Sequence, residues 1–94
     1  MTRAEVLSRL AALKPWLADE GVTRLRLFGS YARDQAGADS DVDLLVDFDR
    51  PVGLRLFALQ DEISARLGRK VDLVTEAALA PDIRYTALRD VVDA

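Results

Sequence analysis

Ten residues separate the pair Gly29-Ser30 from Asp41, and Asp41-Val42-Asp43 stands at the head of an apolar run that ends at Phe48. Gly29-Ser30 itself closes an earlier run, Val22 to Phe28 (VTRLRLF), which alternates for most of its length and reads as a strand with Leu25 and Leu27 toward a core. The second run, Asp41 to Phe48 (DVDLLVDF), is a second strand. Its period of two places Asp41, Asp43, Leu45 and Asp47 on one side and Val42, Leu44, Val46 and Phe48 on the other. The wholly apolar side must be buried. Between the strands, Ser30 to Gln35 suits a short helix with Ser30 as N-cap and free N-H groups facing any bound anion, and Ala36 to Ser40 (AGADS) is a loop.

The remaining chain supplies helices to cover such a sheet. Thr2-Arg3-Ala4-Glu5 has the pattern of a capping box, and Val6, Leu10, Leu13 and Leu17 share one face of the helix that follows, with Arg3, Arg9 and Lys14 toward water. Pro15 removes a helical hydrogen bond and clashes one turn back, at about 3 kcal/mol. A kink or break is therefore expected near Lys14, with a short turn from Pro15 to Glu20 and a left-handed stop at Gly21. Asp49 to Gly53 is a turn. Leu54 to Leu67 forms a helix with Leu56, Leu59, Ile63 and Leu67 on one stripe and Gly68 as its stop. Arg69 to Val74 is a third strand, Val71 and Leu73 inward and Asp72 outward. Thr75 caps a single turn over Glu76 to Leu79, and Pro81 opens a last helix in which Ile83, Leu88, Val91 and Val92 pack back on the sheet. Tyr31, Tyr85 and Trp16 read as packing residues. The order is that of a small α/β sandwich, and 94 residues give room for one domain, 1–94, and not for two.

Composition narrows the chemistry. Cysteine and histidine are both absent, which excludes thiol nucleophiles, Cys or His zinc sites and histidine acid-base catalysis. Carboxylates, hydroxyls, Lys, Arg or a hard cation must carry any reaction. With 13 basic and 16 acidic residues the net charge is −3, so no direct nucleic-acid binding is expected. No apolar run approaches the roughly 20 residues of a membrane span, and the cytosol is the expected location.

Asp41, Asp43 and Asp72 are the candidate acidic group. Residues two apart on a strand lie about 6.5 to 7 Å apart along it, close enough to lean onto shared metal ions. Asp47 stands about 13 Å from Asp43 and is left out. If the third strand lies beside the second, Asp72 completes the group. Two unit charges at 4 Å repel by about 4 kcal/mol at an effective dielectric of 20, a cost that a divalent cation reverses. All-oxygen ligation favours magnesium or manganese. Gly29 lets the backbone approach a phosphate, and Ser30 can donate to one. Arg33 is open between a phosphate contact and a surface ion pair with Asp34 or Asp39. Asp72 is also a candidate general base. The reaction these residues permit is attack of a hydroxyl on the α-phosphate of a nucleotide, with pyrophosphate leaving.

The segment LFGSYARDQAGADSDVDLLVDF resembles the signature of the minimal nucleotidyltransferases of the polymerase β superfamily: Gly-Ser, ten residues, Asp-x-Asp. KVDLVTE, with Asp72, is similar to that family's later strand bearing a third carboxylate, and the likeness extends to the ending LAPDIRYTALRDVVDA. The resemblance implies a polymerase-β-like fold with a sheet of about three strands and helices packed against it. It makes Gly29 and Ser30 the nucleotide-binding turn, Asp41 and Asp43 metal ligands and Asp72 the third acidic residue, with ATP as donor. It further implies an antitoxin paired, as a hetero-oligomer, with a HEPN-type ribonuclease toxin and transferring AMP to a tyrosine of that toxin. Asp34 stands where the family commonly has glycine. Two other readings share the fold: a module that neutralises its partner by docking alone, and an enzyme modifying a small-molecule hydroxyl such as an aminoglycoside's.

Overall fold

The computed structural model describes all 94 residues, Met1–Ala94. The elements follow in the order α1 (Arg3–Asp19), β1 (Val22–Phe28), α2 (Gly29–Ala32), β2 (Val42–Phe48), α3 (Arg55–Leu67), β3 (Val71–Val74), a 3-10 turn (Glu76–Ala78), α4 (Pro81–Arg89) and β4 (Val92–Asp93). The sheet has four strands rather than about three, ordered β3-β2-β1-β4. β1 runs antiparallel to both β2 and β4, and β3 runs parallel to β2 through the α3 crossover. The added strand, β4, is where a C-terminal helical continuation through Val91 and Val92 was expected. It pairs Val92 with Leu27 and Asp93 with Arg26.

One sheet face makes the main core. Leu25, Leu27, Val42, Leu44, Val46, Val71 and Leu73 meet Val6, Leu10 and Leu17 of α1 and Leu59, Ile63 and Leu67 of α3. Polar groups on α3 finish the job at the sheet margin: the outward N-H groups of Val71 and Leu73 donate to Ser64 Oγ at 3.0 Å and Gln60 Oε1 at 2.9 Å. The opposite face is divided. Its middle is apolar, with Phe28 and Leu45 packed against Ala87 of α4. Leu45, grouped by alternation with three aspartates, is thus fully buried beneath α4. Ala87, not Ile83, is the buried anchor of α4. A small residue lets the helix approach the sheet, while Ile83 and Tyr85 stay exposed, at 53% and 72%. Tyr85 is therefore not a packing residue. Tyr31 is fully buried, and Trp16 packs at the core margin under the Arg66 guanidinium, 4.0 Å from its ring centre.

α1 does not break at Pro15; it is one helix to Asp19. Pro15 and Ala11, whose carbonyl loses its helical donor, both lie on the exposed side where water can replace that donor, and Leu10 and Leu17 anchor the halves on either side. Nor do Arg3 and Arg9 simply face water. Their guanidinium groups donate to the carbonyls of Ala32, at 3.0 Å, and Leu67, at 2.9 Å, tying α1 to the C-terminal ends of α2 and α3.

On the divided face, Arg26 is the one buried charged residue, 5% exposed. Its Nη2 lies 2.7 Å from Glu76 Oε1 and 3.8 Å from Asp47 Oδ2, and its Nε has no partner. Glu76 begins the turn leading to α4, and Arg84 of α4 donates back to the carbonyls of Glu76 and Leu79. These contacts hold the last third of the chain over the sheet. Burying an ion pair gains little over an apolar packing of similar volume, but stranding one partner costs about 3–5 kcal/mol. The Glu76 and Asp47 side chains are 42% and 44% exposed and regain water when unpaired, whereas Arg26 does not. Arg26→Met is therefore expected to stay within about 1 kcal/mol of the parent, and Glu76→Ala combined with Asp47→Ala to lose several kcal/mol. Urea titrations giving equal losses for both variants would refute this account.

Candidate functional site

The acidic group assembles at the end of the sheet face on which α4 lies. The β1 and β2 register sets Phe28 opposite Asp43, and the β2 and β3 register sets Asp43 beside Asp72. The condition placed on Asp72, adjacency of its strand to β2, is met. Asp43 is half-buried and Asp72 exposed. Asp41 lies just before β2, which starts at Val42, and its carboxylate is drawn 3.8 Å from Lys70 Nζ. No three acidic side chains converge on one point in this arrangement. Asp43 with Asp72 is the nucleus, and Asp41 joins it only by turning from Lys70.

Electrostatics mark Asp43 as the strained member. Burial, then the charges of Asp72 and Asp41, push its carboxyl from an ordinary 3.8 up to about 6, against a smaller lowering by Arg33. Excess negative charge, hard oxygen donors and no competing imidazole or thiol fit a divalent cation of the magnesium or manganese type. Asp43 and Asp72 would hold it, with Asp41 as the third ligand.

Gly29 is demanded by two separate facts. Its φ is +74°, and a Cβ there would run into the Asp43 carboxylate, 3.2 Å from its carbon. The turn thus lies directly beside Asp43. α2 begins at Gly29 and spans four residues, so Ser30 is inside the turn and is not its N-cap; Phe28 occupies that position without a side-chain cap. Arg33 Nη1 sits 3.6 Å from Asp90 Oδ2, and its Nε donates to Gln35 Oε1 at 3.3 Å. Its ion pair is with Asp90, not with Asp34 or Asp39. Asp34 has a φ of 55°, the only positive φ outside glycine, which explains glycine's suitability at that position. Its carboxylate accepts from the backbone N-H of Arg3 at 3.0 Å, so this negative charge is turned toward α1.

Beside Gly29 the surface opens into a cleft of about 330 Å³ between the β1-α2 turn and α4, with Arg33 on one wall and Asp82 and Thr86 on the other. Sequence reasoning did not reach Asp82, Thr86 or Arg26. A charged residue between Leu25 and Leu27 was a visible signal for Arg26; the other two carry none, since they read as an ordinary first-turn acid and an exposed threonine.

A family model described as a nucleotidyltransferase domain matches residues 5–93. The chain belongs to the nucleotidyltransferase domain family. Among curated relatives, the protein adenylyltransferase MntA of Thermococcus cleftensis is 44% identical over 94 residues, 98% of this chain and 95% of that protein. A solved minimal nucleotidyltransferase is 38% identical with a TM-score of 0.81, covering 98% of this chain and 95% of that one. A toxin-antitoxin crystal structure with AMP-PNP has the same fold, with a TM-score of 0.69 at 18% identity over 99% of this chain and 72% of that chain. This minimal nucleotidyltransferase is an enzyme of the transferase class, and no helix in it is long and apolar enough to cross a membrane.

Two outcomes follow from the geometry. Because the folded state raises the Asp43 pKa, this group contributes stability fully below about pH 3.8 and loses it as pH rises through about 6. Thermal melts in a chelator should show that decline, and Asp43→Asn should remove its part; equal slopes in parent and variant would contradict the assignment. Gly29→Ala should lose about 1 kcal/mol or more from the positive φ alone. It should also weaken binding of an ATP analogue at least about tenfold by displacing Asp43, the factor that about 1.4 kcal/mol represents. Calorimetric titration and a melt measure the two effects separately.

Proposed function

We propose that the chain is an ATP-dependent protein adenylyltransferase that acts as an antitoxin, transferring AMP to a tyrosine hydroxyl of a cognate HEPN-type ribonuclease toxin. The observation that carries this is the seating of Asp43 between Asp72 and the Gly29 turn. It occurs in a chain 44% identical to a protein named for adenylyl transfer. The likeness to solved toxin-antitoxin structures supports the partner class through the shared fold.

Gly29 and Ser30 bring backbone and hydroxyl against the phosphates, and Arg33, once exchanged from Asp90, adds a planar fork of donors to them. Asp41, Asp43 and Asp72 would hold a magnesium or manganese ion, which when bound would neutralise the triphosphate and make a nearby hydroxyl more acidic. The acceptor oxygen forms a bond to the α-phosphorus, and the bond from that phosphorus to the bridging oxygen breaks. Pyrophosphate departs with that electron pair, and the hydroxyl proton passes to Asp72, exposed and therefore reachable by a protein acceptor. The product is an AMP ester of the acceptor side chain.

Incubation with ATP labelled in the α-phosphate, magnesium and the protein encoded beside this one is expected to label that protein. Asp41→Asn with Asp43→Asn should reduce the label by about 10³-fold or more, the scale on which charge-stabilising groups matter. A folded double variant that still neutralises the partner in cells would favour neutralisation by docking. Labelling of an aminoglycoside in place of the protein would reassign the acceptor.

A further inference from the structure

The acidic group accounts for only one end of the cleft beside Gly29. Gly29 borders both: a Cβ on it would meet the Asp43 carboxylate, so that carboxylate stands directly beside the glycine, and the same glycine lines the cleft. A nucleotide whose phosphates lie at Asp43 therefore has its remaining part at the cleft mouth. The volume of about 330 Å³ is near the lower bound of roughly 300 Å³ for small-molecule sites. It suits a nucleoside whose triphosphate lies outside, on the acidic side of the glycine.

The lining has the mixture such a ligand needs. Phe28 from the end of β1 and Ile83 from α4 offer apolar surface from two sides. Ile83 is 53% exposed although it borders the cleft, so an inserted flat ring would take apolar surface out of water. The polar groups of α4 are of one kind. Asp82, when ionised, can only accept hydrogen bonds. Thr86 Oγ1 donates to the carbonyl of Asp82 at 3.3 Å, which commits its proton and leaves its lone pairs as acceptors. The donor on the far wall, Arg33, is engaged by Asp90 and Gln35, and on exchange from Asp90 it goes to the phosphates rather than to the sugar. An acceptor-only wall complements a ligand edge made of donors, and the vicinal hydroxyls of a ribose are such an edge, one sugar away from the α-phosphate.

Resting on the reading of this chain as an ATP-using nucleotidyltransferase, we propose that the cleft between the β1-α2 turn and α4 is its nucleoside subsite. Phe28 and Ile83 pack on the base, and Asp82 and Thr86 accept from the ribose hydroxyls and so set a requirement for ribonucleotides. α4, held over the sheet by the Arg26 and Glu76 contact, is then the specificity element, and the acidic group is blind to the sugar.

The test needs no protein acceptor. Calorimetry of the full chain with magnesium compares a non-hydrolysable ATP analogue with its 2′-deoxy and 3′-deoxy forms, for the parent and for Asp82→Asn, Thr86→Val and Ile83→Ala. The parent is expected to bind the ribose form at least about tenfold more tightly than a deoxy form, the effect of one lost hydrogen bond to a charged group. Asp82→Asn or Thr86→Val should shrink that ratio toward one while the deoxy affinity barely moves. Ile83→Ala should weaken all forms alike. These exposed positions tolerate substitution, and melts check that the variants fold. Parent binding with the same affinities and ratio in all three variants overturns the subsite alone. Absence of ATP-analogue binding by the folded parent overturns the subsite and the nucleotide-transfer reading together.

Discussion

Everything at the candidate site depends on the parallel register of β2 and β3. Parallel neighbours place residues side by side on the same face, so Asp43 beside Asp72 is an unavoidable juxtaposition of like charges once the apolar residues on either side of each are buried. Val42 and Leu44 flank one aspartate and Val71 and Leu73 the other, and all four are in the main core. A slip of one residue would turn the apolar pairs outward and cost far more than the repulsion saves. The core thus enforces an electrostatic conflict it does not itself need.

The second sheet face shows how the chain distributes its polar groups around that conflict. Phe28, Leu45 and Ala87 form a small apolar plug in the middle. The acidic pair lies on one side of it, and the Arg26, Asp47 and Glu76 cluster on the other. Opposite charges at the far end are paired, and like charges at the near end are not. Through Glu76 and Arg84 the paired end fixes where α4 leaves the sheet. Through Ala87 the plug fixes how close it comes.

Much of this was written in residue order. Alternation in DVDLLVDF and KVDLV divided the residues between the two sheet faces correctly, although Leu45, on the face of the aspartates, is buried under α4, and Gly21 and Gly68 stop their helices with positive φ. Local pattern failed where a distant part of the chain decides. Two residues of β4 have no periodicity to detect and exist because β1 offers an open edge. Pro15 looked disruptive because its penalty is local, while the packing of Leu10 and Leu17 that offsets it is tertiary. Ile83 outranked Ala87 as an anchor on hydrophobicity, yet a close helix-sheet approach selects the smaller residue. The spacing from Ser30 to Asp41 flagged a shared site, but the closeness of Asp43 to Gly29, which leaves no room for a Cβ there, is a matter of strand pairing and was not visible in the order of residues.

The side chains of α3 that accept from Val71 and Leu73 have a consequence for association. An edge strand normally offers its outward amides to any passing strand, and proteins blunt that hazard in several ways. Here Ser64 and Gln60 occupy those amides from the helix side, so β3 is a poor template for sheet extension and the acidic end of the sheet stays clear of strand-swapped neighbours. The other margin is unlike it. β4 covers β1 only at Arg26 and Leu27, with one further bond from Ala94 to Leu25. The uncovered stretch of β1, Val22 to Arg24, therefore lies at the end of the sheet away from Asp43, which pairs with Phe28 at the other end of the strand.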